Sequence, residues 1–252
     1  MKHYTFLVLM VALSQSSLSA GEQPDSGEIN FEAGLSFLSR YVRRGFDLNG
    51  RKPALQPSLR ISLPEGFSVD FLGSFGIDNR TQLDEADLIL SYQTDLIPEA
   101  MTMSLAFSSY QYLGTESDIY QTGGTDYANG QEITVTFETV SLPATISLEY
   151  GRGLGGKNGG EIIGNYASIT IGKDLDMNEV TFGFGLSTSY LDQYEIPNKI
   201  IDVSLRNECS VSISDVTVHA GVDVVYLLSP DLLNGNNEHV IVPIELNVSF
   251  SW

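Results

Sequence analysis

Acidic and basic side chains recur in this chain at every second position of alternating apolar and polar stretches. Glu32, Arg40 and Arg60 come first, followed by Asp70, Glu85, Asp87, Glu138 and Glu149. Asp202, Arg206, Glu208, His219, Asp223 and Glu245 come late. Carboxylates in such excess over cations suit the attraction of positive charge. Hydrolysis by a Ser-His-acid set needs a histidine beside a serine. After residue 20 the histidines are His219 and His239, and neither lies near a nucleophile motif. Gly151-Arg152-Gly153-Leu154-Gly155-Gly156 fits G-x-G-x-x-G, but no helix pattern follows to hold a phosphate. Asp174-Leu175-Asp176-Met177-Asn178 opens like a calcium loop, yet Glu179 stands where glycine is needed and Gly185 where the bidentate glutamate is needed. The residues therefore predict no enzyme, no cofactor and no metal site.

Charge and composition narrow the class further. With 13 Lys and Arg against 32 Asp and Glu, the formal net charge is −19. That balance argues against nucleic-acid binding, which needs a basic footprint, and against docking on anionic lipid by charge. Disorder is also disfavoured, because 42% of residues are hydrophobic, with 12 Tyr and 12 Phe. The single cysteine, Cys209, cannot form an intramolecular disulfide. A mean hydropathy of zero is what a chain averages to when lipid-facing and water-facing residues alternate.

The elements that must position these residues are strands. The last nine residues, Ile244 to Trp252, alternate apolar and polar without a slip and stop on an aromatic. Period two means one greasy face and one wet face. About twelve such segments run along the chain. They are Ile29–Phe37, Leu55–Leu63, Phe67–Ile77, Ala86–Tyr92, Met101–Phe107, Ile133–Phe137, Ala144–Tyr150, Ile163–Ile171, Val180–Tyr190, Ile201–Val211, Val216–Tyr226 and Val240–Trp252. No stretch reads as a convincing helix.

Connections alternate in length. Short ones fall at Pro64–Gly66, Thr94–Glu99, Thr139–Pro143, Gly172–Glu179 and Ser212–Asp215. The longest of the others is Leu113–Gly130, and Gly151–Gly160 is the richest in glycine. Tight turns at one rim and long loops at the other are expected of an outer-membrane barrel; a soluble sandwich has no reason to sort its loops. Tyr41, Tyr110, Tyr150, Tyr190 and Tyr226 come where strands meet long connections, which predicts an aromatic girdle at the outer interface, with Phe67, Tyr92 and Trp252 at the inner one.

Hairpin pairing tests the alternation. A turn at Pro64–Gly66 sets Leu63 against Phe67, Ile61 against Val69, Leu59 against Phe71 and Arg60 against Asp70. A turn at Ser212–Asp215 sets Val203 against Val224, Leu205 against Val222 and Glu208 against His219. Apolar meets apolar and opposite charges meet. One expected pairing is poor: Glu132 opposite Glu149, which needs water, a cation or a slipped register.

At the other end, Lys2-His3, the apolar run Phe6 to Leu13 and the small residues to Ser19-Ala20 read as a signal peptide cleaved after Ala20. The apolar run is too short to cross a bilayer as a helix, which takes roughly 20 residues. Residues 1–20 are thus set aside, and 21–252 are expected to form one domain.

The stretch Leu38-Ser39-Arg40-Tyr41-Val42-Arg43-Arg44-Gly45, followed by Lys52-Pro53-Ala54-Leu55-Gln56, resembles the TorF-like porins, a bacterial outer-membrane β-barrel family once of unknown function. Glu85-Ala86-Asp87-Leu88, Ser91-Tyr92 and Tyr110-Gln111-Tyr112-Leu113-Gly114 continue the resemblance, which fades beyond. It implies an outer-membrane barrel with a channel role and supplies no substrate. Arg44 beside Gly45 reads as a cation at a turn, free to fold inward toward Glu85 or Asp87 or to stay solvated.

Together these readings predict an all-β fold: an antiparallel, up-and-down transmembrane β-barrel of about 12 strands in the bacterial outer membrane, both termini periplasmic. The polar face lines a narrow, acidic lumen, since twelve strands enclose more than eight and less than sixteen. The expected function is passive diffusion of small cationic or neutral solutes. Alternatives are a non-conducting barrel acting as scaffold or adhesin, and a soluble secreted β-sandwich or lipocalin-like binder. Expected partners are outer-membrane lipid, small solutes and the barrel-assembly machinery, the last through Leu246, Val248, Phe250 and Trp252. The oligomeric state stays open.

Overall fold

A computed structural model describes residues 29–40, 42–43, 46–47, 52–77, 83–112, 130–156, 164–193, 196–228 and 239–252. The expected signal peptide, Tyr41 and Arg44 lie outside the described residues, and the side chains of Glu85 and Tyr112 are not described.

Alternation becomes strand throughout. The strands are β1 (Asn30–Leu38), β2 (Ala54–Ser62), β3 (Phe67–Gly76), β4 (Leu83–Ile97), β5 (Met101–Tyr112) and β6 (Gly130–Thr139). They continue as β7 (Thr145–Gly156), β8 (Gly164–Met177), β9 (Val180–Gln193), β10 (Ile196–Ile213) and β11 (Val216–Leu227). The last, β12, comes in two pieces, Val240–Ile241 and Ile244–Ser251. Pro243, which has no N–H to give the ladder, sits in the break. Its carbonyl still accepts from the Asp223 N–H at 3.1 Å.

Each strand pairs antiparallel with the next, and β12 pairs with β1, so the sheet closes on itself. Closure leaves no unpaired edge, a requirement for strands in hydrocarbon. Phe31 and Trp252 exchange both backbone hydrogen bonds, at 2.9 and 3.0 Å. The described start and end of the barrel therefore meet at the rim that carries the tight turns.

Those turns are tighter than the sequence suggests. At β2–β3 the expected register holds, with Ile61 opposite Val69, Leu59 opposite Phe71 and Arg60 opposite Asp70. The Leu63 N–H bonds the Phe67 carbonyl at 2.8 Å. At β8–β9 the strand runs to Met177, past the expected turn at Gly172, and only Asn178-Glu179 turns. At β10–β11 only Ser214-Asp215 turns, so Val203 faces Tyr226, Leu205 faces Val224 and Glu208 faces Gly221. The slip relative to expectation is two residues, which preserves every inside and outside assignment. Asn178 and Ser214 accept positive φ, 60° and 54°, to make these two-residue turns, as right-twisted hairpins demand. The glycine-rich stretch after Tyr150 is also strand as far as Gly156, not loop.

Glu132 and Glu149 are not opposed. The register runs unbroken from Glu138 opposite Ser147, near the turn, to Glu132 opposite Gly153, while Glu149 faces Thr136; a bulge follows between Gln131 and Glu132. The four-residue difference from the expected pairing arises at the turn and removes a like-charge contact.

The burial pattern is inverted relative to a soluble protein. Leu88, Leu90, Leu105, Leu148, Phe184, Leu186 and Leu205 are 37–52% exposed, whereas Asp70, Glu132 and Asp202 are 2%, 3% and 5% exposed. A closed sheet with its apolar face outward and its carboxylates inside is solvated by lipid, not by a second layer. The protein is an outer-membrane β-barrel, and the sandwich alternative is excluded.

Candidate functional site

The polar face of the strands forms one continuous interior. Between β1, β2 and β3, Glu32, Arg60 and Asp70 occupy one row. Arg60 Nε donates to Asp70 Oδ1, and the Ser68 hydroxyl donates to Asp70 Oδ2 at 3.4 Å. On β10 and β11, Arg206 grips Asp223 with two bonds, Nε to Oδ1 at 3.0 Å and Nη2 to Oδ2 at 3.2 Å. Two donors on a planar fork fit one carboxylate, which fixes both side chains. Glu208 Oε2 lies 3.9 Å from Arg206 Nη1 and 3.8 Å from His219 Nε2. The two-residue slip therefore leaves Glu208 and His219 diagonal neighbours. Gly183 makes room for this arrangement, because a Cβ there would collide with the Glu208 side chain.

A void of about 30 Å³ lies among Leu38, Arg40, Arg206, Glu208, His219, Asp223 and Glu245. A space of that size holds a water molecule or two. The interior around it is crossed by side chains.

The lumen is not purely polar. Leu38, Leu72, Ile89, Leu191, Val225, Leu227 and Ile241 are at most 7% exposed. Register puts them on the inner face: Leu72 pairs with Asp87, Ile89 with Asp70, and Leu227 with Asp202. Strict alternation missed these residues. Their signal is a contiguous apolar run, Phe71-Leu72, Leu88-Ile89-Leu90 and Val224 to Leu228, in which both faces of a strand are apolar.

Of the expected lining residues, Glu32, Arg40, Arg60, Asp70, Asp87, Glu138, Glu149, Asp202, Arg206, Glu208, His219, Asp223 and Glu245 all fall on the inner face by register and burial. Glu85 pairs with Tyr112 on the backbone ladder, and Arg44 is outside the described residues. Among the described residues, two cations on strands face outward. Arg152 pairs with the exposed Ile133, and Lys173 pairs with the exposed Phe184. A lipid-facing cation is costly only near the midplane, and long side chains can carry their charge toward the headgroups.

The aromatic residues divide. Tyr150 and Tyr226 are each 48% exposed on the outer face, and Tyr190 pairs with outward-facing Ala167. The Tyr150 hydroxyl bonds Asn165 Oδ1 at 2.8 Å. At the tight-turn rim Phe67 packs on Tyr92, ring centroids 4.8 Å apart, and Phe31 stacks on Trp252 at 6.2 Å. Tyr110 departs from expectation. It pairs with Asp87, is 3% exposed and bonds Glu132 Oε2 at 3.4 Å, so it belongs to the lumen and not to an outer girdle. In the sequence Tyr110 and Tyr112 sit two apart and share a face, and only the β5 register shows which face that is.

Comparison with known proteins follows from this geometry. A KdgM porin superposes with a TM-score of 0.55 at 10% identity, covering 88% of this chain and 99% of that one. A NanC porin gives 0.52 at 11% identity over 88% and 99%. An outer-membrane channel from Pseudomonas putida F1 gives 0.54 at 8% identity over 92% and 99%. Identities this low establish a shared fold. No curated protein matches the chain. A model describing a bacterial protein of unknown function, Gcw_chp, matches residues 22–182, well over half of the chain. The chain belongs to the Gcw_chp family of bacterial proteins of unknown function.

Proposed function

We propose that this barrel is a porin-like channel through which small cationic or neutral solutes diffuse passively across the outer membrane. The observation that carries the reading is the inverted burial: hydrocarbon-facing side chains outside, and carboxylates, hydroxyls and a few paired cations around a common axis inside. On the described inner face the acids far outnumber Arg40, Arg60, Arg206 and His219. Carboxylates in a narrow, low-dielectric lumen favour cations over anions. The porins that share the fold support a channel role, as does the resemblance of residues 38–56 to the TorF-like porins. Both termini would then be periplasmic, with the tight turns on that side. Leu246, Val248, Phe250 and Trp252 would present the outward-facing terminal strand to the assembly machinery.

A second reading has its own support. The buried apolar side chains on the inner face, Leu72, Ile89 and Leu227 among them, suit a closed scaffold that acts through its external loops.

Planar-bilayer recording separates the two. A channel shows discrete steps and, in a salt gradient, a reversal potential favouring cations. Glu138→Lys together with Asp174→Lys, both on the inner face toward the tight-turn rim, should reduce that preference. An absence of steps would favour the scaffold, and anion preference in the unmodified protein would reject the acidic-lumen reading.

A further inference from the structure

On β7, β8 and β9 the outer face orders its side chains by depth. Antiparallel register sets Tyr150, Ala167 and Tyr190 side by side on the three strands. The next row, toward the connection that follows Gly156, is Arg152, Asn165 and Asp192. Two residues along a strand advance roughly 6.6 Å, so an aromatic row is followed at once by a polar one. That is the order of side chains expected where hydrocarbon gives way to headgroups. Ala167 is the small member of the aromatic row. It leaves a slot between two tyrosines whose strands lie roughly 9–10 Å apart, twice the strand spacing.

The polar row gathers donors at one end. The Tyr150 hydroxyl donates to Asn165 Oδ1 at 2.8 Å, which orients the amide and leaves its NH2 group to donate elsewhere. Arg152 is exposed beside it. Among the described residues no carboxylate pairs with the Arg152 guanidinium. Asp192, the one acid in the row, lies beyond Asn165 and two strands from Arg152.

We propose that Arg152 and Asn165 hold the phosphate of a membrane-lipid headgroup, with an acyl chain of that lipid in the slot over Ala167 between Tyr150 and Tyr190. A phosphate offers acceptors and negative charge, the complement of a guanidinium fork and an amide NH2. The tyrosine rings flank the chain at the depth where an apolar ring with a polar tip is stable. Asp192 repels the phosphate from the far end of the row and so places it on the Arg152 side. The formal net charge of −19 opposes long-range attraction to an anionic surface. An embedded barrel meets its lipids laterally, however, at distances shorter than the screening length, where the local charge prevails. On the orientation proposed above, the lipid belongs to the outer leaflet. The seat is on the outer face, so it stands whether or not the lumen conducts.

The test titrates the refolded full-length barrel, in dodecyl maltoside micelles, with bisphosphorylated lipid A and reads the complex by native mass spectrometry. Heat-modifiable mobility first shows that each variant is folded. The unmodified barrel should bind the lipid saturably, and Arg152→Gln should weaken binding about tenfold. Arg152→Lys, which keeps the charge and loses the fork, should fall between the two. Asn165→Leu should weaken binding about threefold, and Asp192→Asn should tighten it. Lys173→Gln removes the same charge from the outer face toward the tight-turn rim and should leave affinity within about twofold. Dephosphorylated lipid A should bind the unmodified barrel no better than it binds Arg152→Gln. Absence of saturable binding, or equal losses in Arg152→Gln and Lys173→Gln, would overturn the seat. So would loss of binding in Asp192→Asn, because a bridging cation would then hold the phosphate. Inorganic phosphate binding at Arg152 while lipid A does not bind would overturn it as well.

Discussion

Arg60 and Asp70 show what a single pair does inside this barrel. The carboxylate is 2% exposed and holds the guanidinium of the facing strand. Removing the cation leaves a desolvated charge, which costs more than the pair contributes. Arg60→Ala should therefore destabilise the barrel by about 1–3 kcal/mol in urea titration in micelles. Thr181→Val, which removes a bond to Asp176 at an exposed site, should change stability by no more than about 0.5 kcal/mol. Equal effects would mean that the interior is wetter around Asp70 than its burial indicates. Gly66 is a second residue-scale constraint. Its φ is 84°, and a Cβ there would run into the Gln93 backbone carbonyl. Gly66→Ala should cost more than the roughly 1 kcal/mol of a strained φ alone.

At the scale of elements the hairpins set the register, and their turns carry the strain. Glu65, Glu99, Asn178 and Ser214 all have positive φ, 54–63°. Asparagine tolerates that region; glutamate and serine do so at a cost of about 1–2 kcal/mol. Glu99→Gly and Ser214→Gly should thus each stabilise the folded barrel by up to about 1 kcal/mol, offset in part by a more flexible unfolded chain. A loss of stability in both would show that the side chains at these turns make contacts worth more than the strain. The Arg60–Asp70 register was legible because β2–β3 has an unambiguous turn at Pro64-Glu65-Gly66. The β8–β9 and β10–β11 turns were not, since Asn178-Glu179 and Ser214-Asp215 lack glycine or proline and the polar residues around them read as loop. The bulge at Gln131/Glu132 was invisible for a similar reason: a one-residue insertion leaves no composition signal.

For the whole molecule, closure is the cooperative event. The Phe31–Trp252 backbone bonds and the stacked rings of the same pair join the last strand to the first. Deleting Phe250 to Trp252 removes the end of that seam, including the Ala33–Phe250 pairing. Such a truncation should sharply lower the yield of heat-modifiable, folded barrel, whereas Trp252→Phe, which keeps an aromatic ring, should fold nearly as well. Normal folding of the truncated chain would show that closure does not depend on these last residues.

Alternation by itself determined the strand-rich class, a strand number of about twelve and which charges on a strand share its polar face, because a side-chain period of two is a local property of the backbone. It also pointed to Glu32, Asp70, Asp87 and the other inward charges before any register was known. Tertiary structure alone decided which residues meet: that Glu132 escapes Glu149, that Tyr110 turns inward to Glu132, and that Leu72, Ile89 and Leu227 lie on the inner face. Those outcomes depend on register, bulges and closure, which arise from contacts between residues far apart in the chain and leave no trace in the spacing of any one strand.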